Sequence, residues 1–463
     1  MRRPTRIFLR LLFAAGLLAA ACVVAVVAYV AVNCRDLPPP DLGGLALPPP
    51  APVPAASNGW YGLREAVRDM CVPSRTSRLA AAWYGLGDAA SLREILASNT
   101  LSLAWIDRAV RGGTLAPPAA RLPEDDSYLG WSPVTVCGRL LRLRAQEALL
   151  AGRTNAALAG YAESVALARL YLGVPPGSDL DALAAFTEVR DAIFHLRLAS
   201  GRLGVRQVWD ALHGDLEALG DLDAARRRAI AAALANDRRN LEQMCRIVAG
   251  DSPSPAAWGS PIAAALPDAV QRARANGAEQ AALRVYELLP AGYRFQPNRT
   301  LAAMLALRSG TAPPELVAVA REAAQWPGGP WDWKRTLAPV LQVLGPNGLG
   351  EVYILGEAGR LPFIDGGARL AETAARGTWL ALALRVCEED RGTLPATPDE
   401  LVPRWLPAVP RDPYDGRPFR YDRGRRLAYS VGRNRRDDGG VRDVLHGGVD
   451  ALPGDDVLFD VPR

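Results

Sequence analysis

Residues 141–168 read LRLRAQEALLAGRTNAALAGYAESVALA. Leu141, Ala145, Ala148 and Leu149 recur at the three- and four-residue spacing of one helical face, and Gly152 follows as a stop. Ala157, Tyr161, Val165 and Ala168 repeat the pattern, which Gly173 and Pro175-Pro176 close. Two short apolar stripes joined by a polar turn predict a helical hairpin, because each stripe must bury against a neighbour. Outward from this pair the same signals continue. Ser91-Leu92-Arg93-Glu94 has the form of a capping box opening a helix towards Ser98. Ser178 is placed to cap a segment running to about Ser200. Asp221 is placed to cap another ending near Gly250, before the loop Asp251-Ser252-Pro253-Ser254-Pro255. Strand-like alternation is nearly absent between Gly59 and Gly392, so residues 59–366 are expected to form an all-α body.

The hairpin around Gly152 superficially resembles a tetratricopeptide unit, but no 34-residue recurrence supports a regular array. A helical-hairpin bundle or irregular solenoid fits better. The chain has 463 residues, 49% hydrophobic and 22% charged, which is the composition of two or three folded units. Arg2, Arg3, Arg6 and Arg10 supply four of the net +5 charges. The remainder is nearly neutral and carries no field for nucleic acid.

Those four arginines form a basic flank, residues 1–10, before Leu11–Val32, a run without charge or proline. Its 22 residues would make a helix of roughly 33 Å, enough to cross a hydrocarbon core. The run is longer than the apolar stretch of a cleavable signal peptide, and the charge asymmetry places the amino terminus in the cytoplasm. A single-pass signal anchor in a bacterial inner membrane is expected, with the bulk of the chain periplasmic and the lipid bilayer as one partner. Ala19-Ala20-Ala21-Cys22 loosely resembles a lipobox, which the long apolar continuation opposes. Residues 33–58 follow as a linker rich in proline (Pro38, Pro39, Pro40, Pro48, Pro49, Pro50, Pro52, Pro54). Twenty such residues in polyproline II would reach about 60 Å.

Three histidines leave little material for histidine-rich metal sites, and the six cysteines include no CxxC. Cys71, Cys137, Cys245 and Cys387 allow three pairings, but wide spacing within apolar helices fits free, buried thiols equally well. No HExxH, Walker A loop or GxSxG is present, and Gly345–Gly350 (GPNGLG) is too weak for a phosphate loop. Trp326-Pro327-Gly328-Gly329-Pro330-Trp331-Asp332-Trp333-Lys334 reads as a loop plugged into a core, with stacking on sugars or bases as the other use. Asn298-Arg299-Thr300 is a glycosylation triplet by pattern alone. His195 lies on an apolar helix face beside Phe194 and Leu198 and reads as structural; His213 and His446 have no apparent partners. Glu124-Asp125-Asp126 and Glu388-Glu389-Asp390 are the acid runs that a glycosidase-like site would draw upon. The chain is accordingly read as non-enzymatic, an anchored envelope protein with structural or protein partners. The alternative is an envelope hydrolase with an acid-pair site in the helical body.

From residue 367 the grammar changes. An apolar helix over Gly377–Asp390 ends at Arg391-Gly392, and Thr397-Pro398-Asp399-Glu400 forms a capping box with proline at the first helical position. Pro410-Arg411-Asp412-Pro413-Tyr414-Asp415-Gly416 is turn chemistry. Short strands are expected at Phe419–Tyr421, Leu427–Val431 and Val457–Val461, giving a small three-stranded antiparallel sheet against the helix. The chain is thus expected to be mainly α, with an α+β tail at 367–463.

The order Leu394-Pro395, Asp399-Glu400-Leu401-Val402-Pro403, Pro410–Gly416, Tyr421, Tyr429-Ser430-Val431-Gly432, Asp437-Asp438-Gly439-Gly440 and Asp455-Asp456-Val457 resembles the carboxy-terminal half of type II secretion major pseudopilins. It resembles still more the pseudopilin-like tails of anchored, planctomycete-type bacterial proteins. The resemblance covers roughly the last 90 residues. It implies a loop that folds around calcium, with Asn434, Asp437, Asp438, Asp455 and Asp456 as counterpart ligands and the Val431 carbonyl nearby. Hard oxygen donors suit that ion, although Arg433, Arg435 and Arg436 flank them; the other reading is a mutually paired charged loop. The chain departs from pseudopilins at its other end, where Leu11–Val32 lacks the glutamate of a processed prepilin helix.

Overall fold

The computed structural model describes residues 3–41, 53–54, 58–116, 133–174, 179–248, 290–309, 311–314, 316–317, 346–348, 350–351, 353–354, 361–440 and 456–462. The protein is mainly helical, with one small antiparallel sheet. It divides into two compact units, one of residues 1–46 and 233–362, the other of residues 47–232 and 363–463. The Trp326–Lys334 stretch, Glu124-Asp125-Asp126, Ser178, His446 and Asp455 lie outside the described residues.

In the second unit, helices α2 (Gly59–Arg68), α3 (Ala80–Trp83), α4 (Ala89–Ser98) and α5 (Thr100–Gly112) precede the expected hairpin. That hairpin is α6 (Pro133–Leu150) against α7 (Thr154–Leu172), and α8 (Asp179–Leu203) packs on both. All eight stripe residues of the opening motif are buried. Gly152 turns the chain at φ +74°, where a side chain would be strained. Gly160 lets α7 approach α6 closely, since a Cβ there would stand 3.0 Å from that of Ala145.

The cap of α4 differs from expectation. Asp88, not Ser91, is the N-cap, and its carboxylate accepts from the Ser91 N–H at 2.7 Å. Starting the helix at Ala89 leaves Ser91 inside the first turn, and Glu94 pairs with Arg78 instead of closing a box. Helix α9 (Val205–Leu219) buries Val205, Val208, Trp209, Leu212, Leu216 and Leu219, one face at helical spacing. Asp221 Oδ1 accepts from Asp223 N at 3.1 Å where α10 (Asp223–Val248) begins.

The first unit contains α1 (Arg3–Val32), α11 (Ala291–Arg294) and α12 (Pro297–Ser309). Asn347, in the glycine-rich 345–350 stretch, is buried; its Oδ1 accepts from Gln296 N at 2.7 Å and its Nδ2 donates to Thr300 Oγ1 at 3.1 Å. That stretch therefore ties the start of α12. Buried Arg308 and Asp237 form an ion pair, and Tyr353 donates to the same carboxylate. Among the described residues no helix is long and apolar enough to cross a membrane.

Helix α13 (Leu361–Arg391) contains the expected Gly377–Asp390 segment but starts earlier and passes through residues 366 and 367 without a break. It carries the sheet of β1 (Arg420–Asp422), β2 (Leu427–Ser430) and β3 (Val457–Asp460), in the order β1-β2-β3, all antiparallel. Arg420 lies opposite Tyr429, and Ser430 opposite Val457. A Cβ at Gly377 would fall 2.3 Å from the Phe459 ring, so the missing side chain is what allows β3 to rest on the helix backbone. Arg197 of α8 donates to the Leu458 carbonyl at 2.6 Å, with its guanidinium 5.2 Å from the centre of the Phe459 ring. The capping box at Thr397 forms as read, on a short 3-10 turn over Pro398–Leu401.

All six cysteines lie among the described residues and are free; Cys137 and Cys387 are buried, whereas Cys71 is exposed.

Candidate functional site

The turn Pro410–Gly416 is organised by one side chain. Asp412 is fully buried, and its Oδ1 accepts from Tyr414 N and from Ser430 Oγ, each at 2.9 Å. Its Oδ2 accepts from Val431 N at 2.8 Å. Ser430 Oγ in turn accepts from Gly432 N at 3.1 Å. The Pro-Arg-Asp-Pro-Tyr-Asp-Gly and Tyr-Ser-Val-Gly segments are therefore two halves of one hydrogen-bonded joint, which fixes where the acidic loop leaves β2.

In that loop Asp456 is buried, and its Oδ2 accepts from Asp438 N at 3.1 Å and from Gly440 N at 2.7 Å. Among the described residues its Oδ1 has no partner. Burial raises the Asp456 carboxyl above its usual range against the two backbone bonds, and the nearby carboxylates of Asp438 and Asp437 add to the rise. Asn434 Nδ2 donates to Asp438 Oδ2 at 2.7 Å. Asp437 turns the other way, accepting from Tyr429 Oη at 3.1 Å and from Gly439 N at 3.0 Å, with Arg420 Nε 3.5 Å from its second oxygen. The loop thus draws Asn434, Asp438 and Asp456 together and gives Asp437 to Arg420. Among the described residues no group of three or more histidine, cysteine or carboxylate side chains is gathered as a metal shell. The carbonyls of Gly439 and Gly440 are occupied by Arg425.

No protein-family model, curated protein or solved structure matches this chain.

The remaining sequence candidates among the described residues are bound into the fold. Glu388 is clasped by both guanidinium arms of Arg426 at 2.6 and 2.7 Å and bonded by Arg385. These bonds, that of Arg426 foremost, hold its carboxyl down at about 2, so it has no proton to donate at neutral pH. Asp390 accepts from Trp405 Nε1 at 3.1 Å and pairs with Arg206 and Arg404. His213 stacks on Trp209.

A further cluster, which no motif marks, lies between α6, α7 and α8. Glu188 and Arg142 are buried and directly bonded, and Arg142 also reaches Ser164 Oγ at 3.3 Å. Gly138 makes room for the carboxylate; an added Cβ would lie 1.8 Å from Glu188 Oε1. Burial pushes the Glu188 carboxyl up to about 7 against the pull of Arg142. Burial, reinforced by Arg142, lowers His195 to about 4, so its imidazole is neutral in the physiological range. The sequence did hold a signal: Glu188 falls in register with Ala185, Ala192 and Leu196, a charge on an apolar stripe.

Proposed function

We propose that this chain is a single-pass anchored protein of the bacterial inner membrane whose folded mass lies on the periplasmic side and serves structural or protein-binding contacts. The observation that carries the reading is α1. Its side chains are exposed at Leu17, Leu18, Val23, Val24, Val26 and Val27, positions that point in every direction around the helix. An apolar helix bare on all sides is soluble only where its surroundings are apolar too. Arg2, Arg3, Arg6 and Arg10, which precede its apolar run, set the orientation. Outside the anchor, Leu86, Leu101 and Leu198 are each more than half exposed and offer apolar points for a protein partner. The resemblance of the tail links that partner to secretion. Protease added to intact spheroplasts should degrade the bulk of the chain while sparing a cytoplasmic control. Protection of the large carboxyl portion would overturn the topology.

The alternative, an envelope hydrolase, would need two facing carboxylates of separated pKa in a cleft. In the helical body, where that site would lie, the carboxylate of Glu188 is buried in the bundle and bonded by Arg142, which favours the non-enzymatic reading.

Calcium is a second proposal for the tail, favoured by Asp456 Oδ1, which has no partner among the described residues, in a loop that also brings up Asp438, while Asn434 Oδ1 accepts from Arg436 N at 2.8 Å. These oxygens would supply hard donors, and loop closure is the chemistry the ion would contribute. If calcium binds the folded loop, adding it at a hundred times its dissociation constant stabilises the fold by about 2.7 kcal/mol. Thermal unfolding should then shift upward by a few degrees with calcium and by nothing with magnesium, and Asp456→Asn should erase the shift. An unchanged melting temperature at millimolar calcium would assign the loop to its internal pairs alone.

A further inference from the structure

Immediately beyond α1 the chain does not run free. Asp36 lays its carboxylate across the N-terminus of α12, Oδ2 accepting from Asn298 N at 2.8 Å and Oδ1 from Arg299 N at 2.9 Å. These are two of the amides that a helix leaves without internal partners, so Asp36 acts as a cap delivered from a distant part of the chain. Asn298 Nδ2 donates to the Leu37 carbonyl at 2.9 Å, and Gln296 Nε2 donates to the Asn33 carbonyl. The Cys34 carbonyl lies so near Gly292 that a Cβ there would meet it at 2.7 Å. One turn back into α1, Tyr29 sets its ring edge-on to Tyr293, centroids 6.4 Å apart. Every contact falls before Pro38, the first residue of the proline run.

We propose that α11 and the start of α12 form a bilayer-contacting face, held against the interfacial lipid layer by the Asp36 joint. This rests on the anchor reading above. Tyr29 stands three residues before the end of α1, about 4.5 Å along the axis, which is headgroup depth for a span ending at Val32. Tyr293 is buried and packs edge-on against Tyr29, so it holds α11 at that depth, while the exposed Tyr29 suits the layer because one end of its side chain is apolar and the other polar. Arg35, exposed at the joint, brings a cation to the level of the lipid phosphates. The proline segment thus begins after a docked joint and does not lift α11 and α12 away from the membrane.

The test uses the full chain in phosphatidylcholine nanodiscs, with a fluorescent amino acid at position 297 and a quencher attached to lipid headgroups. Quenching is expected in the otherwise wild-type chain and should be lost in Asp36→Ala. Hydrogen exchange at the Asn298 and Arg299 amides should quicken at least about fivefold in Asp36→Ala, and Asp36→Asn, still a competent cap, should recover most of the protection. An unquenched probe in a chain that resists alkaline carbonate extraction would overturn the joint while leaving the anchor in place. Extraction of the wild-type chain by carbonate would overturn the anchor and the joint with it.

Discussion

Arg142→Ala is expected to lower the unfolding free energy by about 3–5 kcal/mol at neutral pH, the range for breaking a buried ion pair from one side. Arg142 and Glu188 are both buried; Arg142 bonds Glu188 Oε1, and among the described residues Oε2 has no hydrogen-bond partner. Removing the guanidinium leaves a carboxyl that must either hold its charge in an apolar bundle or take up a proton. The direction with pH follows. The folded-state pKa of Glu188 lies above its unfolded value of 4.5, so the folded chain binds more protons between about 4.5 and about 7. Its contribution to stability is fully present below that window and declines as pH rises through it. Deleting the cation widens the window, so the penalty of Arg142→Ala should shrink in acid and grow towards pH 8. Urea unfolding of detergent-solubilised chain, followed by helical circular dichroism, reads both effects. Glu188→Gln should flatten the dependence in the same window. A penalty independent of pH would show that packing of the arginine stem, not its charge, carries the effect.

Asp412→Ala should release the tail sheet. The substitution strands the Val431 and Tyr414 amides and the Ser430 hydroxyl, and each buried orphan costs about 1–3 kcal/mol. A total of at least about 3 kcal/mol places the change among severe single substitutions. Asp412→Asn keeps one carbonyl acceptor and should cost roughly half as much. Amide exchange at Val431 and along β2 is the direct measurement. Wild-type protection at Val431 in the alanine variant would mean that Asp412 is not the organising group of the turn.

Helical content was legible because it follows from spacing and punctuation alone. The stripe from Leu141 to Ala168, the stop at Gly152 and the box at Thr397 are local signals, and each element formed where its own residues direct it. The three strands were legible for the same reason, to within a residue at their ends. What could not be read were relations between segments distant in sequence. Asp412 stood out as turn chemistry, but nothing near it announces Val431 as its partner. Asp36 looks like a linker residue until α12 is brought to it. Of the calcium counterparts that the resemblance implies, Asp437 and Asp438 are adjacent in sequence, yet consecutive residues in the loop face different neighbours, and Arg420 lies beside the first. The Ser91 cap failed on a narrower point: two acceptors three residues apart competed for one helix start, and Asp88 prevailed.

The bare backbone of Gly377 under Phe459 also bears on how the protein avoids its own copies. Any side chain there would push β3 off the helix, and β3 is the strand that covers one side of the central strand β2. A row of amide and carbonyl groups left unpaired is a template for strands from other molecules, so the missing side chain favours pairing within the chain.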